Sequence, residues 1–229
     1  MERRTASLSA HACALTCALA AVACAPANLS RTLGAGNYEL RAALGGPVFQ
    51  NLGAPIPAPN LHLGGRVGLT DWMDLDGNLN LTATAFSLWA MDLAANFQLY
   101  RRPRGLAVAT SARLFILGDL DDAPAARALP EVGLHLGAPL TRWLSLYGGV
   151  TSAAQFRAPE GKPPLFTTPF LGAEFLLPSR GKPRQHGLAL HAGWTNPWED
   201  NNAVVDYTTS RGALALHLGY RVRFGGLHR

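Results

Sequence analysis

Leu61-His62-Leu63-Gly64 recurs as Leu134-His135-Leu136-Gly137 and as Leu216-His217-Leu218-Gly219, with a near copy at Leu190-His191-Ala192-Gly193. Each copy lies in a run whose every second residue is apolar. A β-strand sends successive side chains to opposite faces, so the leucines meet one medium and the histidines and glycines another. The same alternation occupies most of the chain from Gly36 to Phe224 and continues without a linker-like break, which indicates one domain.

Working outward from these repeats, period-two alternation and turn residues place ten strands, at 36–50, 60–70, 74–86, 92–101, 105–117, 131–140, 144–155, 168–177, 187–196 and 212–224. A second echo supports the register: Leu69-Thr70-Asp71-Trp72-Met73-Asp74-Leu75 matches Leu140-Thr141-Arg142-Trp143-Leu144-Ser145-Leu146. The apolar parity carries Tyr38, Leu40, Ala42 and Leu44, then Leu61, Leu63, Val67 and Leu69, then Leu79, Leu81 and Ala83, and continues in the same way through the later strands without a charged residue. A basic side chain facing mid-bilayer costs about 2 to 4 kcal/mol, so this blank is what a lipid face requires. Charged residues make up only 15% of the chain and apolar ones 48%, while no internal apolar run is long enough for a spanning helix. The pattern predicts an all-β fold, an antiparallel up-and-down transmembrane β-barrel over 36–224. Short turns near 71–73, 102–104 and 141–143 fall on one rim and longer connections on the other, which places the turn rim in the periplasm.

The opposite parity carries Glu39, Arg41, His62, Arg66, Asp92, Asn96, Gln98, Arg113, Glu131, His135, Glu174, His191, His217, Arg221 and Arg223. Five of these are arginines and four are carboxylates, so the set predicts a charge-paired network filling a narrow lumen. Strand order brings His62, His191 and His217 close together. Two roles are open to them: hydrogen bonds to the lumen Glu and Arg side chains, or coordination of zinc or copper. The net charge of +5 is spread singly along strands or sits in turns such as Arg101-Arg102-Pro103-Arg104, which argues against nucleic acid as a partner. The loop acids Asp119, Asp121, Asp122, Glu199, Asp200 and Asp206 have no histidine beside them, so no catalytic arrangement is predicted, and no cofactor motif is present. Of these, Asp119 to Asp122 could bind calcium or bridge to lipopolysaccharide through divalent ions.

The first residues have the form of a targeting segment: Arg3 and Arg4, an apolar stretch over 10–23, then Ala21-Val22-Ala23 before Cys24. This resembles bacterial lipoprotein signals, with Ala21 where leucine is usual. The resemblance implies cleavage of 1–23, lipidation of Cys24 and, from Ala25, an outer-membrane address. Ordinary signal cleavage at the same site would instead leave Cys24 as a free thiol. On either route 24–35 is expected to be a tether and 225–229 a periplasmic tail. Over 36–224 the chain resembles the small bacterial outer-membrane β-barrels, which implies an envelope protein of structural, adhesive or narrow-pore type. The outer-membrane proteases are similar in strand count alone. The alternative reading is a soluble periplasmic lipoprotein barrel that binds an apolar ligand, with the leucines turned inward as in lipocalins.

Overall fold

In the computed structural model, which describes residues 27–51, 54–120, 126–156, 163–178, 184–200 and 209–225, the alternating runs become strands. They are β1 (Tyr38–Asn51), β2 (Ala54–Pro57), β3 (Asn60–Gly68), β4 (Met73–Asn80), β5 (Leu88–Arg101), β6 (Ala107–Asp119), β7 (Arg127–Pro139), β8 (Leu144–Ala154), β9 (Leu165–Leu177), β10 (Arg184–Asp200) and β11 (Arg211–Phe224). A single helical turn, α1 (Leu81–Thr84), follows β4. From β3 to β11 each strand pairs antiparallel with the next, and β1 pairs with both β3 and β11, Tyr38 lying opposite Phe224 and Leu44 opposite Leu218. β2 is a short arm on the far end of β1. Among the described residues the wall is therefore a closed antiparallel barrel of ten strands. Among the described residues closure leaves no edge strand in the ten-stranded wall; β2 alone stands outside it.

The two parities face as the alternation requires. Leu134 is 42% exposed and its neighbour His135 5%. Tyr38, Leu40, Leu44, Leu63, Leu79, Leu93, Leu99, Val132, Leu171 and Leu218 all lie on the outside. The largest fully buried side chains are polar: His62, Glu39, Asn96, Asp74 and Asp92. This is the inverse of a water-soluble core, and it contradicts the inward-leucine geometry that the soluble alternative needs. The sequence echo is also a structural one. Leu69 and Thr70 donate to the Met73 carbonyl, and Leu140 and Thr141 to that of Leu144. Trp72 then stacks on Phe97 and Trp143 on Phe175.

Three features differ from the sequence expectation. The third strand stops at Asn80 instead of reaching residue 86. The Asn80 carboxamide accepts from the Ala83 N–H (3.2 Å) and caps α1, which satisfies a helix-end donor that a strand would have paired differently. Ala83 is thereby turned inward against Ala90 and Leu117, and Leu81 leaves the wall. β2 is an added element. Finally, residues 27–37, which include the described part of the expected tether (27–35), run across the turn-side mouth of the barrel. The segments 1–23, the expected signal, and 24–26, with Cys24, lie outside the described residues, as does most of the expected 225–229 tail.

Candidate functional site

β1, β4, β6, β9 and β11 each carry charged residues at lumen parity, and barrel closure brings them into one network. Arg221 contacts Glu174 on β9 and donates to Glu39 on β1 (3.0 Å). Arg223 donates to the same Glu39 carboxylate (2.7 Å). Arg41, 3.6 Å from Glu39, pairs with Asp76 on β4 (2.6 Å). Asp76 is 3.5 Å from Arg113, which also contacts Asp92 and lies 3.5 Å from Glu131 on β7. The unbroken run Glu174–Arg221–Glu39–Arg41–Asp76–Arg113–Glu131 crosses the lumen. Arg66 pairs with Asp74 beside it. Asp74 and Asp76 are missing from the sequence prediction, although Met73-Asp74-Leu75-Asp76-Gly77-Asn78-Leu79-Asn80 shows them at lumen parity. With them, five lumen arginines meet six carboxylates instead of four.

The glycines of the repeated string allow this crowding. A β-carbon on Gly64 would stand 2.1 Å from Asn78 Oδ1 and 2.9 Å from Arg41 Nε, where Arg41 donates to Asn78. At Gly137 it would stand 2.1 Å from the Ser30 hydroxyl.

Ser30 belongs to the segment in the mouth, a strap fastened along its length. Asn28 donates to Glu174 (2.9 Å), and Arg66 donates to the carbonyls of Asn28 (3.3 Å) and Arg31 (2.7 Å). Gln98 donates to the Ser30 carbonyl (3.0 Å) and accepts from the Thr32 N–H (2.9 Å). The Thr32 hydroxyl donates to the Asp71 carbonyl (2.7 Å), and the Leu33 N–H to both Asp74 oxygens (3.1 Å each). Arg31 donates to the carbonyls of Arg102 and Gly105, and partial burial next to Arg101 holds its guanidinium below its ordinary pKa. Leu29, Ser30 and Thr32 are buried. The cavity between strap and wall, lined by Asn28, Glu39, Glu174 and Arg221, measures about 10 Å³, room for about one water.

The histidines sit on the lumen wall in a row, edge to face from His62 through His217 to His191, which stacks on Phe170, with His135 tilted against the same ring. Ring centroids are 6.1 Å apart for His62 and His217, 6.0 Å for His217 and His191, and 5.2 Å for His191 and Phe170; Phe170 and His135 follow at 5.5 Å. Both roles expected of them need correction. His62, His191 and His217 do not converge on a common point, and among the described residues no group of three or more His, Cys, Asp or Glu could hold a metal ion. Nor do they bond to the arginine network: His135 pairs with the Ser111 hydroxyl (2.9 Å) and His191 faces the Tyr147 hydroxyl (3.5 Å), while the ring nitrogens of His62 and His217 have no protein partner among the described residues. Of the loop acids, Asp119, Glu199 and Asp200 close strands β6 and β10 at the loop rim; Asp121, Asp122 and Asp206 lie outside the described residues.

The site and the wall together define a class: a closed antiparallel barrel with an apolar exterior and a charge-paired interior. No family model matches the chain. No curated protein matches it either. Among solved structures, the translocator domain of the autotransporter NalP from Neisseria meningitidis is similar in shape, at 9% identity, over 84% of this chain and 89% of that one, with a TM-score of 0.43. The NanC porin is similar at 7% identity over 82% of this chain and 99% of that one, with a TM-score of 0.43. A bacterial polysaccharide outer membrane secretin is similar at 11% identity, over 84% and 99%, with a TM-score of 0.36.

Proposed function

We propose that this chain is an outer-membrane β-barrel stopped by its own amino-terminal strap, an envelope protein of structural or adhesive type and not an open pore. One observation carries the reading: residues 27–37 bridge the mouth of a barrel whose lumen is already spanned by paired charges, inside a wall faced with leucine. Ordered charges in ion pairs and backbone groups held by side chains leave no continuous water path where they close, and an ion entering would have to displace those pairs. The reading includes no catalytic step. Its partners are the surrounding lipid and, on the loop side, lipopolysaccharide.

Lipidation of Cys24 belongs to the same proposal. Only Ala25 and Pro26 lie between it and Ala27, where the described strap begins at that mouth, and outer-membrane barrels hold their short-turn rim in the periplasm. Mass spectrometry of the mature amino terminus checks this: a diacylglyceryl mass on Cys24 supports the anchor, and an unmodified cysteine removes it.

The purified full-length chain in planar bilayers of phosphatidylethanolamine and phosphatidylglycerol is expected to pass no steady current. Steady unitary steps would replace the stopped barrel with the narrow pore. Outer-membrane fractionation with heat-modifiable gel migration tests the membrane placement, since a soluble protein would stay in the periplasmic extract.

A further inference from the structure

On the outside of the wall, β1, β9, β10 and β11 enclose an apolar trough of about 600 Å³, within the roughly 300–1,000 Å³ common for small-molecule sites. Ala173 and Ala192, short side chains among Leu44, Leu171, Leu190 and Leu218, make the depression, and Pro57 and Pro59 bound its loop-side end. On β10 and β11 at the turn rim, at the outward parity, sits a polar cluster. His186 Nδ1 and the Tyr220 hydroxyl are 2.6 Å apart, and the exposed Arg184 guanidinium lies 5.3 Å from the Phe224 ring centre. Arg184 has no ion pair among the described residues. From His186 to Leu190 the strand advances about 14 Å, close to half the thickness of a hydrocarbon core of about 30 Å.

We infer that this sector of the outer wall is a phospholipid site: Arg184, His186 and Tyr220 take the phosphate of a glycerophospholipid in the turn-side leaflet, and one acyl chain lies in the trough. Charge decides the occupant. A guanidinium and a phenol at the interface fit a phosphate oxygen, while the alanine floor fits a methylene chain and offers nothing to a polar partner. The inference rests on the membrane placement proposed above.

The test uses the full-length protein in nanodiscs of phosphatidylcholine doped with phosphatidylglycerol, transferred to mild detergent and read by native mass spectrometry. The wild-type barrel is expected to retain one phosphatidylglycerol. Arg184→Gln, which removes the charge, is expected to lower that occupancy about tenfold, the effect of one charge-assisted hydrogen bond, and Ala192→Phe, which fills the trough, is expected to lower it as well. Ala112→Phe, on the outside of β6, should leave it unchanged, and heat-modifiable migration shows that each variant is folded. Equal retention by all four proteins overturns the site, as does acyl mass present only covalently on the chain. A barrel that inserts and sheds every lipid overturns the site alone; a chain that stays out of the bilayer overturns the membrane placement and the site with it.

Discussion

Arg113 shows what the interior demands of a single residue. It contacts Asp92 and lies 3.5 Å from Asp76 and from Glu131, all four buried. Arg113→Met would leave three carboxylates without their shared cation, and breaking a buried pair this way costs about 3–5 kcal/mol. Urea unfolding of the protein in lipid vesicles should show the loss, with partial recovery in Arg113→Met/Glu131→Gln. The outer parity makes the opposite demand. Leu134→Arg, mid-strand on β7, should cost about 2–4 kcal/mol by the same measurement, whereas Leu134→Ile should cost far less. At this scale the sequence was highly legible for direction and poorly legible for partnership. Alternation alone says that Arg41 and His62 share a face. Whether either touches a carboxylate depends on inter-strand register and side-chain reach, and spacing along the chain records neither. So the arginines proved paired, and the histidines turned to aromatic rings and hydroxyls.

Among the elements, the strands were readable because each repeats one local rule. The strap was not, because its order is imposed from a distance: Asn28 meets Glu174, 146 residues away, and Thr32 meets Gln98, 66 residues away. Nothing in Ala27-Asn28-Leu29-Ser30 announces those partners. The end of β4 was misread for a related reason, since Leu81-Thr82-Ala83-Thr84 continues the period-two pattern while Asn80 caps a helical turn. Gly137 offers a direct handle on the strap. Gly137→Leu should push Ser30 off the wall, which limited proteolysis would read as faster cleavage within 27–37 while the barrel itself stays resistant. Unchanged protection would mean that the strap is held without that contact.

For the molecule as a whole, the seam where β1 meets β11 sets the order of events. Glu39, one residue into the first strand, is clasped by Arg221 and Arg223, near the end of the last. The latch for the cylinder is therefore divided between the first and last strands of the wall, and no fragment lacking either can fasten it. A chain entering the bilayer with β11 unpaired would expose two bare strand edges to hydrocarbon and leave Glu39 to Arg41 alone, so insertion must shelter the open sheet until the seam has closed.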